Sequence, residues 1–148
     1  MKYKSFATMN CSLAKSLEIL GERWSLLILR DAFRGVRRFE DFLNTGISRN
    51  VLTERLKRLT EEGIFEKRPI DGKSSEYRLT EKGLDLQPVL LAFTHWGDKY
   101  VPHPAGDRLI FRERATGKPI APMSACSVDG RPLSARELTA TPGPGADS

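Results

Sequence analysis

The chain has 148 residues, enough for one domain and an appendage, and its 24 basic against 19 acidic residues give a net charge of +5. A pI of about 9.4 favours polyanionic partners, but with 29% charged residues the placement of charge says more than its sum. No apolar run of about 18 residues occurs, which excludes a helical membrane span. Two cysteines without an export signal exclude a disulfide scaffold and imply a reducing, cytoplasmic setting.

Residues 1–6 lack the apolar core of a secretory leader. Asn10 or Ser12 can cap a helix through Leu20, with Leu13, Leu17 and Leu20 on one face and Gly21 as the interruption. A second helix is predicted over residues 24–33. Leu26, Leu27, Ile28 and Leu29 are too consecutive for a surface helix, so it is central.

Residues 34–43 read as a turn and a short helix whose Phe39, Phe42 and Leu43 face a core. Residues 44–46 break it. A capped amphipathic helix follows, with Ser48 as N-cap and Gly63 as a left-handed stop. Val51, Leu52, Leu56 and Leu59 fall on its inner side; Arg49, Asn50, Thr53, Glu54, Lys57 and Arg58 fall on the outer. Short helix, glycine turn and second helix make a helix-turn-helix. The outer arc carries groups that read base edges in a major groove, and Arg37 and Arg38 at the start of the first helix are placed to meet phosphate.

Strands over residues 64–70 and 75–79 flank a turn in which Asp71-Gly72 favours positive φ. Lys73 marks the tip, with Lys67, Arg68 and Arg78 along the sides. A basic hairpin after a recognition helix is a wing, able to reach a minor groove or the backbone. Twelve of the 24 basic residues lie between Arg34 and Lys82, beside nine acids. The candidate DNA-binding set is Arg37, Arg38, Ser48, Arg49, Asn50, Thr53, Lys57, Arg58, Lys73 and Arg78.

From a Thr80 cap a helix is predicted to run to Val101. Pro88 marks either a kink or the first turn of a restarted helix, and Pro102 ends it. Its apolar face is too broad for a small winged domain to cover, which points to a second copy of the chain. Leu13, Leu17, Leu86, Val89, Leu90, Phe93, Trp96 and Tyr100 are the predicted dimer contacts. Two recognition helices about one DNA turn (~34 Å) apart would read a palindrome. The expected fold is mainly α with a small β component: a winged helix-turn-helix with N- and C-terminal dimerisation helices and a short C-terminal β-hairpin extension. Residues 1–104 form the DNA-binding and dimerisation domain, 105–138 the extension and 139–148 a disordered tail.

Cys11-Ser12-Leu13-Ala14-Lys15-Ser16-Leu17-Glu18-Ile19-Leu20-Gly21-Glu22-Arg23-Trp24 resembles the opening signature of the HxlR-type transcription regulators. Arg37-Arg38-Phe39-Glu40-Asp41-Phe42 and Ile47-Ser48-Arg49-Asn50-Val51-Leu52 resemble the family's helix-turn-helix, and Tyr77-Arg78-Leu79-Thr80-Glu81-Lys82-Gly83 its wing exit. The resemblance covers about residues 8–101 and implies a bacterial, cytoplasmic, homodimeric regulator related to the MarR group. It also makes Cys11 a candidate redox sensor, because some members sense oxidants or electrophiles at an N-terminal cysteine. A first-turn thiol with Lys15 one turn on gives modest physical support. The competing reading, a small apolar residue at the helix start or dimer interface, is preferred because no cation is closer.

Residues 108–138 resemble the degenerate zinc ribbon that extends some HxlR-type proteins. Thr116-Gly117 stands at the first knuckle and Cys126-Ser127-Val128-Asp129-Gly130 at the second, with Asp129 where a cysteine would be. One cysteine cannot make a tetrahedral site, so neither metal nor cofactor is expected. His95 and His103 carry no ligand spacing. The expected function is a sequence-specific DNA-binding transcriptional regulator, a repressor by preference, acting as a homodimer on a palindromic operator. Its partners are double-stranded DNA, a second copy and an unidentified small-molecule effector, with control by a ligand or by electrophiles. No acid–base constellation supports an enzyme. The alternative is a winged-helix RNA-binding or protein-interaction module, for which an apolar stripe would replace the polar arc of Arg49, Asn50, Thr53 and Lys57.

Overall fold

The computed structural model describes residues 4–148; residues 1–3, part of the stretch read above for a leader, lie outside the described residues. The chain forms two units, Met1–Gln87 with Ala146–Ser148, and Pro88–Gly145. The first holds helices α1 (Ser12–Leu20), α2 (Ser25–Phe33), α3 (Phe39–Phe42) and α4 (Arg49–Glu61), strands β1 (Phe65–Pro69) and β2 (Ser75–Leu79), and the short helix α5 (Glu81–Leu84).

The expected central helix is α2, which buries Ile28, Leu29 and Ala32. Phe42, Ile47, Leu52, Leu56, Leu59, Ile64 and Phe65 complete the core. Leu52, Leu56 and Leu59 are wholly buried. At about 1.5–3 kcal/mol each, this face fixes α4 more firmly than helix propensity does. Phe65 meets Phe42 and Tyr77 edge-on, with ring centroids 6.2 and 6.3 Å away.

Two local expectations change. The N-cap of α1 is neither Asn10 nor Ser12 but Cys11, which sits in extended backbone and makes no side-chain cap bond. The Asn10 amide instead donates to Asp147 at 2.8 Å. The wing turn does not place Gly72 at positive φ. The Asp71 carboxylate closes it, accepting from the N–H groups of Lys73 (2.9 Å) and Ser74 (2.7 Å).

The base of the wing is clamped. Gly63, at φ +76°, stops α4 in the left-handed region as expected. Thr80 donates its N–H to the Ile64 carbonyl at 3.1 Å and its hydroxyl to Gly63, while the same oxygen caps α5 by accepting from Gly83 N–H at 3.2 Å. Gly83 lies so close that a Cβ would fall 2.4 Å from the Ile64 carbonyl oxygen. From the middle of β2, Tyr77 N–H reaches the Arg37 carbonyl at 2.7 Å, joining wing and helix-turn-helix.

The helix predicted from Thr80 to Val101 is two helices. The chain restarts as α6 (Gln87–Tyr100), with Pro88 in its first turn, where a missing N–H breaks no helical bond. In the second unit α6 buries no residue. The extension after it holds two small antiparallel pairings. One is the Arg112–Pro119 bridge; the other joins β3 (Ala125–Cys126) to β4 (Pro132–Leu133). Met123 N–H donates to His95 Nδ1 at 2.9 Å, so His95 ties the extension to α6.

Candidate nucleic-acid interface

The turn between α3 and α4 passes through Leu43–Thr45 and Gly46, and Ser48 then caps α4, its hydroxyl accepting from Val51 N–H at 3.3 Å. That cap fixes where the outward arc begins. Arg49, Asn50, Thr53 and Lys57 are exposed, whereas Arg58 is half-buried and paired with Glu62 at 3.1 Å. Thr53 donates its hydroxyl to the Arg49 carbonyl at 2.8 Å. The arc is exposed while Leu52, Leu56 and Leu59 are buried, the division that the helical spacing predicts.

Arg49 is held more tightly than its spacing suggested. Its Nη1 and Nη2 donate to the two carboxylate oxygens of Glu40 at 3.0 and 2.8 Å, and its guanidinium carbon stands 5.7 Å from the centre of the Phe39 ring. The hydrogen bond and charge of Glu40 raise the Arg49 pKa further above its already high value. Sequence reasoning missed this pair because nothing periodic links residues nine apart across a turn.

The other basic candidates divide. Arg38 is exposed at the N-cap of α3. Arg37 is half-buried, and its Nη1 donates to the carbonyls of Ala32 (2.7 Å) and Val36 (3.0 Å). Arg55, outside the predicted set, turns inward toward Glu22 and pairs with Glu54 at 3.0 Å.

Wing register explains what its charges do. Phe65 faces Leu79 and Lys67 faces Tyr77 on one side; Glu66 faces Arg78 and Arg68 faces Glu76 on the other. Along the strands Arg68 also pairs with Glu66 at 2.9 Å and Arg78 with Glu76 at 2.8 Å. These four charges alternate and cancel. Lys67 lies over the Tyr77 ring at 5.8 Å, which leaves exposed Lys73 as the cation at the tip. The tip is held by Asp71, whose pKa is lowered chiefly by the N–H groups of Lys73 and Ser74 and further by the charge of Arg38.

The predicted dimer contacts fall into two classes. Leu86 and Leu90 are half-buried. Phe93, Trp96 and Tyr100 are 64, 62 and 60% exposed and, with Val89, form one stripe along α6; Leu13 and Leu17 are exposed on α1. Cys11 and Cys126 are both exposed and free. The Lys15 ammonium donates to the Ala7 carbonyl.

Among the described residues no three His, Cys, Asp or Glu side chains stand together as a metal cluster. The second knuckle does not fit zinc. Asp129 accepts from the Ser127 hydroxyl, Ser127 Oγ accepts from Arg131 N–H at 3.0 Å, and Arg131 pairs with Glu137 at 3.3 Å. No helix of the described residues is long and apolar enough to cross a membrane.

Comparison with known proteins agrees with this architecture. Residues 19–105 match the HxlR-like helix-turn-helix family. An HTH-type transcriptional regulator of Mycobacterium tuberculosis is 44% identical over 137 residues, 90% of this chain and 87% of that protein. The crystal structure of PA1607, a candidate transcription factor, matches with a TM-score of 0.84 at 36% identity, covering 93% of this chain and 99% of that one. The quinone-bound structure of YodB from Bacillus subtilis matches with a TM-score of 0.53 at 34% identity, covering 61% of this chain and 99% of that one. The fold is a winged helix-turn-helix.

Proposed function

This chain belongs to the HxlR-like helix-turn-helix family of transcriptional regulators, and from that premise we propose a homodimeric repressor whose two α4 helices read the halves of a palindromic operator. DNA binding, not catalysis, is the business of the family. The observation that carries the finer reading is the outward arc of α4, rigidly backed by the Leu52–Leu56–Leu59 face and started by the Ser48 cap. Arg49, Asn50, Thr53 and Lys57 meet base edges or flanking phosphates. Ser48, Arg38 and Arg58 hold the backbone; Lys73, with Arg78 behind it, serves the wing. Arg37, already engaged at Nη1, contributes a phosphate contact while bracing the turn. No apolar stripe interrupts the arc, which favours DNA over a protein partner.

Residues 1–104 bind DNA and dimerise, 105–138 form a metal-free appendage, and 139–148 are a tail. The exposed stripe of Val89, Phe93, Trp96 and Tyr100, with Leu13 and Leu17 and the flanking Leu86 and Leu90, supplies the dimer contact. The sequence favours a structural Cys11, but the exposure of its thiol reverses that preference, and an electrophile of the quinone class is the proposed effector, reacting at Cys11. Its support is the exposure of that thiol and the likeness to a quinone-bound relative. The test is footprinting on the DNA upstream of the protein's own coding region, with and without quinone, for wild type and Cys11→Ser. A symmetric footprint released by quinone in wild type alone is expected. No footprint there or at any site from a randomised pool would overturn the reading.

A further inference from the structure

Glu40 belongs to no part of the interface assigned above, yet it touches the arginine at the head of the recognition helix. Its carboxylate takes both terminal nitrogens of Arg49, at 3.0 and 2.8 Å, and the Phe39 ring lies under the same guanidinium at 5.7 Å. Both partners are exposed, with side chains 63 and 68% accessible, so desolvation does not force the pairing. An ordinary surface ion pair of long side chains is loose. This one has the two-point geometry and an aromatic floor, which fix the guanidinium plane as well as its position.

The geometry of the fork decides what it leaves open. Glu40 occupies the end of the guanidinium, one N–H from each terminal nitrogen. An arginine presents five N–H groups, so Nε–H and its neighbouring Nη–H still form a second fork along the side. That side fork matches guanine O6 and N7. Arg49 therefore need not release Glu40 to read a base.

We propose that Glu40 is a positioning residue that sets the base specificity of Arg49 by holding its guanidinium in place before DNA arrives. This rests on the reading of α4 as the recognition helix. Two consequences follow from the charge of Glu40. It lowers general attraction to phosphate around the helix start, and it denies Arg49 the freedom to swing onto the backbone, where it would bind every sequence alike. Specificity rises on both counts.

The experiment compares wild type with Glu40→Gln, Glu40→Asp and Arg49→Ala. Each is titrated against a duplex selected from a randomised pool, every single-base variant of that duplex, and a scrambled duplex, at several salt concentrations. Arg49→Ala should lose about tenfold or more of discrimination at one position per half-site. Glu40→Gln should lose most of that same discrimination while binding the scrambled duplex more tightly. Glu40→Asp keeps the charge but shortens the reach; it should lose discrimination while gaining less scrambled-duplex affinity than Glu40→Gln, which separates positioning from simple repulsion. Equal gains for all duplexes in Glu40→Gln, with base preference intact, would overturn the proposal by reducing Glu40 to a competitor. If Arg49→Ala also kept full base preference, the docking of α4 itself would be wrong. Unchanged thermal melting of the free proteins would exclude misfolding as the cause.

Discussion

At the scale of single residues, Arg49 and Thr53 are the members of the outward arc whose side chains are held by a partner. Arg49 should dominate: its replacement by alanine is expected to cost about 1–3 kcal/mol at a preferred site, read as the change in Kd between selected and single-base-variant duplexes. Asp71 gives a pH prediction. Its folded pKa is depressed by two backbone donors, so its contribution to wing order is complete above the ordinary carboxylate value of about 3.9 and disappears as pH falls through the lower folded value. An NMR titration should show the Asp71 carboxyl titrating below the unfolded value, with faster exchange at the Lys73 and Ser74 amides once it is protonated. A normal Asp71 titration would refute this. The sequence displayed the arc of α4 because a 3.6-residue period sorts buried leucines from exposed polar groups. It hid Glu40 and Phe39 because their meeting with Arg49 is made by the turn, whose path no local period encodes.

At the scale of elements, the cap and stop of α4 are legible in the sequence, whereas the cap of α1 and the charge pairings are not. Ser48 and Gly63 were readable because each meets a local backbone need. Pro88 is compatible with a kink or with a first turn at Gln87, and it is the first turn that the chain takes. Charge on the wing is less legible still. Counting Lys67, Arg68, Lys73 and Arg78 makes the hairpin basic, but strand register sets Glu66 against Arg78 and Glu76 against Arg68. Hence Lys73→Ala should flatten the dependence of affinity on salt by close to one phosphate contact, and Arg78→Ala by clearly less. Equal slopes for the two variants would contradict the neutral face. The clamp at the wing base makes its own prediction. Gly83→Ala drives a methyl into the Ile64 carbonyl and should destabilise the fold by about 1–3 kcal/mol in urea unfolding.

At the scale of the whole molecule, composition bounded the answer without supplying it. A net charge of +5 is compatible with many partners, and what favours DNA is the polar arc of Arg49, Asn50, Thr53 and Lys57 on α4, set within the order of helix, helix and hairpin. Oligomeric state turns on α6. Sedimentation equilibrium at micromolar concentration should find a dimer, and Phe93→Ser with Trp96→Ser should shift it to monomer while leaving the helical content unchanged. A monomeric wild type would refute the assignment. The appendage should bind no zinc, because its second knuckle is satisfied by Ser127, Asp129, Arg131 and Glu137; chelator should leave thermal unfolding where it was.

The wing is sewn down twice, by Tyr77 to Arg37 at mid-strand and by Thr80 to Ile64 at its base, and its flanks cancel in charge. The five-residue tip, residues 70–74, stands outside that stitching. On the proposed docking, changes there should alter reach or charge without disturbing α4, so affinity for DNA should be adjustable at one surface loop while the choice of sequence stays with the helix. Such a separation lets binding strength drift or be engineered as an independent dial.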